Sequence, residues 1–155
     1  MKGDLMVSAE ASPSAPPLTA RLFGGAVAGL VAGIPLGIIM QSRDMIPMVG
    51  DLIGQASTGW GWLVHLFNSA LFGVIFVVLF GRWLGRPAVA VGLGLLYGIA
   101  WWILGALVIM PAWLGMSEMI LEVDTNAWWS LLGHLIYGLI LGLGVLLLRS
   151  MMQRS

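Results

Sequence analysis

The only two histidines of the chain lie in two copies of one sequence phrase. Residues 60–73 read WGWLVHLFNSALFG and residues 129–142 read WSLLGHLIYGLILG, so both fit W-x-x-L-x-H-L-x-x-[SG]-x-x-x-G. His65 and His134 therefore hold equivalent positions. A neutral imidazole is a common ligand of metal ions and of haem iron, and two of them on facing helices would supply both axial ligands of a haem b-like group.

Each histidine has polar neighbours on its own side of a helix. Asn68 and Ser69 follow His65 by three and four residues, and Tyr137 follows His134 by three. Such spacings place side chains on one helix face. Because an unpaired polar group in hydrocarbon costs about 1–3 kcal/mol, these faces are expected to point into the protein interior. The imidazoles then either only hydrogen-bond across a helix interface, or hold a haem-like group or metal, or carry protons or ions.

Methionine adds a second class of soft ligand. Thioether sulfur together with imidazole suits Cu(I), and the absence of cysteine excludes thiolate sites and disulfides. Met40 and Met110 are the methionines nearest the histidines in the predicted helices. Four others lie close by in the connecting loops: Met45, Met48, Met116 and Met119. Since methionine is also a common filler of apolar gaps, copper is the second expectation after haem.

Four long segments contain no charged residues, and the predicted helices in these segments would position the histidines and methionines. Residues 22–40, 60–80, 88–110 and 128–148 contain no Asp, Glu, Lys or Arg, and each has 19 to 23 residues. A helix of that length covers about 30 Å, the thickness of the hydrocarbon core of a bilayer. Mean hydropathy is +0.98 and 9% of residues are charged, against about 25% in soluble domains. The sequence predicts four transmembrane helices in a domain of residues 21–150.

The basic residues indicate how these helices are oriented. Arg43 alone falls on one side of the predicted membrane, and six fall on the other: Lys2, Arg21, Arg82, Arg86, Arg149 and Arg154. The positive-inside rule then places both termini in the cytoplasm. Residues 1–20, rich in Pro, Ala and Ser, are expected to form a disordered cytoplasmic tail.

The repeated phrase predicts a duplicated hairpin. An offset of 69 residues superposes His65 on His134 and Gly29 on Gly98. A unit with two crossings returns the chain to its starting side, so its copy has the same orientation and is related to it by a pseudo-two-fold axis. Glycines at every fourth position from 25 to 37 let neighbouring helices approach closely. The expected fold is all-α, an integral membrane four-helix bundle of two parallel-related hairpins with both histidines at one depth in the outer leaflet.

The sequence lacks the features that are typical of several classes of protein. We find no nucleophile–base set and no basic footprint for nucleic acid, so a non-enzymatic membrane protein is expected. The leading interpretation is an accessory subunit or cofactor-binding module whose site includes His65 and His134. One alternative is transport of a small solute or ion. Another is a structural protein whose glycine stripes dock on another membrane subunit or on a second copy. Membrane lipid is a partner in all three.

Two stretches carry a resemblance to a known group of proteins. Residues 94–116 read GLLYGIAWWILGALVIMPAWLGM and residues 131–148 read LLGHLIYGLILGLGVLLL, with WLVHL at 62–66. This phrasing resembles a family of small bacterial four-span membrane proteins, over about residues 22–148. The resemblance implies a four-span fold and a bacterial inner membrane, and it implies no activity. Arg43 and Asp44 depart from the family, where a more apolar run is expected.

Overall fold

The computed structural model describes residues 17–152, and every regular element in that range is helical. The helices are α1 (Leu18–Ser42), α2 (Ile46–Asp51), α3 (Thr58–Phe80), α4 (Pro87–Trp113) and α5 (Thr125–Met152), with a 3₁₀ turn at Ser117–Met119. All except α2 are long and apolar enough to cross a membrane. The predicted all-helical membrane bundle is therefore confirmed. Of the predicted tail, residues 1–16 lie outside the described residues, and α1 begins at Leu18.

Local sequence signals explain where the long helices begin. The Ser57 hydroxyl caps α3 by accepting a hydrogen bond from the backbone N–H of Trp60 at 3.4 Å. A carboxylate oxygen of Asp124 accepts from the N–H of Ala127 at 2.7 Å, in the first turn of α5. Pro87 opens α4, where the missing N–H of proline costs nothing. No long helix extends more than four residues past its predicted limits.

Each hairpin is held together where two helix backbones touch. A side chain at Gly29 of α1 would overlap the carbonyl of Ser69 in α3. A side chain at Gly94 of α4 would overlap the carbonyl of Gly138 in α5 in the same way. Lipid tails offer helices no hydrophobic reason to associate, so close van der Waals packing at small residues supplies the attraction. The glycines predicted to mediate helix contact therefore do so inside each hairpin.

The two hairpins differ in register by one helical turn. Ser69 and Gly138 are equivalent at the predicted offset of 69, but their partners Gly29 and Gly94 are 65 residues apart. Glycines recur at every fourth position, so the two alignments of α1 with α4 fit equally well in sequence. Only the contacts distinguish them.

The interfaces between the hairpins are of two kinds. Helices α1 and α5 pack closely, and Gly133 leaves room for the Leu36 side chain. Helices α3 and α4 meet instead through aromatic groups: Phe72 stacks on Trp101 with ring centroids 3.9 Å apart, and the Tyr97 hydroxyl donates to the Phe72 carbonyl at 2.8 Å. The two-fold relation between the hairpins is accordingly approximate.

Charged residues in the described range separate to the two ends of the bundle. Where α1 and α4 begin and α3 and α5 end, the bundle carries four arginines, Arg21, Arg82, Arg86 and Arg149, and we call this the basic end. The opposite, acidic end carries Arg43 and five carboxylates: Asp44, Asp51, Glu118, Glu122 and Asp124. At the acidic end the short α2, which the sequence did not predict, packs on the start of α3, where Gly61 lies against the Ile46 carbonyl.

Two glycines of α4 allow a matched test of the backbone contact. We expect Gly94→Ala to destabilise the bundle by about 1–3 kcal/mol, because the new methyl group meets the Gly138 carbonyl. Gly92→Ala adds the same atom where nothing lies within 4 Å, and alanine favours helix over glycine by up to about 1 kcal/mol. Thermal unfolding in detergent should show a lower midpoint for the first variant only. Equal midpoints would contradict the assigned contact.

Candidate functional site

One cavity at the acidic end is lined by residues of every helix and of both connecting loops. Its volume is about 250 Å³. All seven residues singled out from the sequence as site candidates contribute to its wall: His65, His134, Asn68, Ser69, Tyr137, Met40 and Met110. The fold therefore gathers at one place groups that are up to 97 residues apart in the chain, from Met40 to Tyr137.

His65 is buried against the backbone of α1. Its Nε2 lies 2.8 Å from the carbonyl oxygen of Gly33. Because a carbonyl only accepts, Nε2 donates, and in the neutral ring Nδ1 carries the lone pair. The hydroxyl of Ser69 donates to the backbone carbonyl of His65 at 2.7 Å and contacts no ring nitrogen. The helix crossing that Gly33 permits thus also orients the imidazole.

His134 is oriented by its own helix and in the opposite tautomer. Its Nδ1 lies 2.8 Å from the carbonyl oxygen of Ser130, so Nδ1 donates and Nε2 carries the lone pair. Within residues 17–152 neither His65 Nδ1 nor His134 Nε2 has a hydrogen-bond partner. Histidines that bind metals commonly donate the other ring N–H to a carbonyl in this way. Both rings therefore keep one nitrogen able to bind a ligand in the cavity.

A hydrogen bond between α3 and α5 sets the depth of the pair. The Tyr137 hydroxyl donates to the Ser69 carbonyl at 2.8 Å. Towards the acidic end, His65 precedes Ser69 by four residues and His134 precedes Tyr137 by three. These spacings correspond to rises of about 6 and about 4.5 Å. Both histidines therefore precede this hydrogen bond by about one helical turn, on its acidic side.

Asn68 is a polar wall residue that the structure leaves unpaired. Its side chain lines the cavity and makes no hydrogen bond within the described part of the chain. Of the two imidazoles, only that of His65 makes the hydrogen bond across a helix interface that the sequence left open, and its partner is neither Asn68 nor Ser69. Tyr137 and both imidazoles bond backbone carbonyls instead.

Methionine supplies the largest group of heteroatoms in the wall. Six of the ten methionines line the cavity: Met40, Met45, Met48, Met110, Met116 and Met119. They come from α1, α4, the segment around α2 and the second loop. Within residues 17–152 only Met151 and Met152 lie elsewhere, at the basic end. The cavity thus combines thioether sulfur with imidazole nitrogen, the ligand types that suit soft monovalent metals.

The part of α4 that lines the cavity is not a regular α-helix. Residues Trp102–Ile109 form a π-helix, a geometry that is rare and often found at functional sites. Pro111 has no N–H to donate to the Leu107 carbonyl four residues earlier. The backbone N–H of Leu121 donates to that carbonyl instead, at 2.9 Å, with Leu121 at a left-handed φ of 60°. Pro111 is the sequence signal for this irregularity, and the sequence reasoning missed it.

Acidic side chains border the cavity towards the loops. Glu122 and Asp124 line it, and neither forms an ion pair within residues 17–152. The one nearby cation, Arg43, donates from Nε and Nη2 to the amide oxygen of Asn126 at 3.1 and 2.9 Å. Carboxylates beside a cavity with apolar walls produce a negative potential that attracts cations.

Chemistry and size narrow the ligands that this cavity can take. Within the described residues no three or more His, Asp or Glu side chains are grouped to hold a metal ion. Calcium and magnesium need sets of oxygen ligands, whereas Cu(I) accepts thioethers. A volume of about 250 Å³ is below the roughly 300 Å³ at which pockets for drug-sized molecules begin. The haem b-like group expected from the sequence stays a prediction.

Comparison with known proteins adds no functional information. The chain matched no family model, no curated protein and no solved structure. The resemblance to small bacterial four-span membrane proteins therefore stays a prediction, and the site is interpreted from its own geometry.

The two ring assignments are open to direct measurement. In protein labelled with ¹⁵N-histidine, we expect one ring protonated at Nε2 and the other at Nδ1, because their carbonyl partners contact different nitrogens. Solid-state NMR of the protein in lipid distinguishes the two tautomers by nitrogen shift. With only two histidines, His65→Gln assigns both signals. Two rings in the same tautomer would contradict the hydrogen bonds described above.

Proposed function

We propose that this four-span membrane protein binds a soft monovalent metal ion, Cu(I), in the cavity at its acidic end. The observation that carries the proposal is the cavity wall itself, which combines six methionines with both histidines of the chain. The basic end faces the cytoplasm of a bacterial cell and the cavity lies towards the outer face of the inner membrane, as the positive-inside rule requires. The protein acts as a binding module and not as an enzyme.

The choice of Cu(I) follows from the ligands on offer. Thioether and imidazole are soft or borderline ligands that do not need to be deprotonated by the metal, and Cu(I) accepts low coordination numbers with them. The free nitrogens, Nδ1 of His65 and Nε2 of His134, are the imidazole ligands. Met40, which is 7% exposed, and Met110 are the leading thioethers because they belong to the spanning helices and not to the loops. Glu122 and Asp124 draw the cation towards the cavity.

Two other functions expected from the sequence find less support. A path for ions or solutes across the membrane would have to pass the middle of the bundle. Phe76 and Leu141 fill that region and are both 0% exposed. Docking through glycine stripes would need free glycines, but Gly29, Gly94 and Gly138 contact other helices of the same chain.

Titration with Cu(I) tests the proposal. Under reducing conditions the intact protein in detergent should take up one equivalent in competition with a chromogenic Cu(I) chelator. The double variant Met40→Leu with Met110→Leu should bind at least about tenfold more weakly, since losses of that size follow when metal sites are perturbed. Leucine keeps the volume and removes the sulfur.

Two further variants separate ligand loss from general damage. Met151→Leu at the basic end, where the side chain is 66% exposed, should leave the affinity unchanged. His134→Gln should weaken binding as the methionine pair does. Binding that is equal in all variants, or an absorption band of a bound tetrapyrrole in purified protein, would overturn the assignment.

A further inference from the structure

A second cavity, at the basic end, is independent of the metal site. Its volume is about 260 Å³, and three arginines from three different parts of the bundle line it: Arg21, Arg82 and Arg149. Arg21 lies in the first turn of α1, Arg149 in the last turn of α5, and Arg82 just after the end of α3. The fold therefore gathers three permanent positive charges around one space between helices.

Two of these guanidinium groups lie next to Gly81. Nη1 of Arg149 donates to the Gly81 carbonyl at 2.8 Å. A Cβ atom at Gly81 would lie 2.6 Å from Nη2 of Arg21. A side chain at position 81 would thus displace Arg21. Because glycine has none, the guanidinium groups of Arg21 and Arg149 can both lie next to this residue. Arg82 follows directly, with its guanidinium 3.9 Å from the centroid of the Trp83 ring.

Helix capping accounts for one of the three arginines only. Arg149 satisfies a carbonyl at the end of α3 and lies at the negative end of α5, where a cation is favourable. Arg21 is at the opposite kind of terminus, the positive start of α1, where a cation is unfavourable. Within residues 17–152 the side chain of Arg21 makes no hydrogen bond or ion pair. Its five N–H donors are therefore uncommitted, and its position needs another explanation.

No carboxylate of the described range can balance this charge. All five lie at the acidic end, on the far side of the bundle. The remaining wall is apolar, including Val77, Val145 and Leu148. The cavity therefore pairs a cluster of phosphate-binding groups with a surface that suits hydrocarbon.

The depth of the cluster matches one source of phosphate. Arg21 is three residues from the start of α1 and Arg149 three from the end of α5. That spacing corresponds to about 4.5 Å of helix rise. The headgroup layer on each side of a bilayer is about 5–7 Å deep. The guanidinium groups thus lie at the level of lipid phosphates.

We propose that the basic-end cavity binds the phosphate of an anionic phospholipid, with Arg21, Arg82 and Arg149 around the headgroup and the apolar wall against its acyl chains. Basic pockets between transmembrane helices on the cytoplasmic side are known to hold such headgroups. Arg21 is the residue whose role is specific to the lipid, since Arg149 also supports α3.

Lipid retention by the intact protein tests the proposal. Native mass spectrometry in detergent, with phosphatidylglycerol or phosphatidylcholine added at equal concentration, counts the lipids that stay bound. The wild type should retain one phosphatidylglycerol in preference to phosphatidylcholine. Arg21→Gln should reduce that affinity about fivefold, the equivalent of one arginine near a lipid surface. Arg82→Gln provides a second variant, and its side chain makes no hydrogen bond within the described residues.

Arg86→Gln is the matched control. It removes the same charge from the same end of the bundle, but Arg86 is exposed and does not line the cavity. Its effect should stay below about twofold, because detergent offers no anionic lipid surface to attract an arginine that lies outside the cavity. Equal losses in Arg21→Gln and Arg86→Gln would show diffuse surface attraction and overturn the proposal. A thermal shift by inorganic phosphate as large as that by phosphatidylglycerol would show a site for the free anion, which would overturn the lipid assignment.

Discussion

Direct contact between helix backbones is the interaction on which this bundle depends. In hydrocarbon an apolar side chain gains nothing by leaving lipid for protein, so helices must attract one another by approaching closely. At Gly29 and Gly94 the lack of a side chain lets a backbone carbonyl of the partner helix pack directly against the glycine. The same contact between α1 and α3 supplies the Gly33 carbonyl that holds His65. Cohesion of the hairpin and orientation of the imidazole are therefore one structural feature.

The cavity at the acidic end forms where the direct contact between helix backbones ends. With the one-turn shift of register, Gly37 of α1 corresponds to Trp102 of α4. The series of closely packed glycines therefore ends one turn earlier in α4 than in α1. The π-helix starts at that tryptophan. Bulky aromatic groups between α3 and α4 then keep those two helices apart, as Phe72 and Trp101 show. Space opens at the acidic end because close packing is given up between α3 and α4.

The sequence was sufficient for the all-helical membrane bundle and insufficient for the geometry of the cavity that the candidate site residues line. Charge-free length gave the four spans within a few residues, and the repeated phrase indicated His65 and His134 as partners. The correct alignment of α1 with α4 could not be predicted from the sequence, because a glycine at every fourth position fits two alignments. The tautomers depended on which carbonyl each ring meets, a long-range contact for His65. The π-helix ends just before Pro111. The missing N–H of this proline can be recognised in sequence, but Leu121, which donates to the Leu107 carbonyl in its place, cannot.

The separation of charge between the ends of the bundle also bears on how the protein reaches its final orientation. In the orientation proposed above, two tips are carried across the bilayer: the first has two carboxylates and one arginine, and the second has three carboxylates. In an energised bacterial membrane the interior is electrically negative, and each elementary charge moved outward along that field is worth about 2.3 kcal/mol per 100 mV. Both tips are net anionic, so the potential pulls them outward during insertion. With that orientation, the energy stored across the membrane would assist biogenesis, and a depolarised cell would insert this chain more slowly.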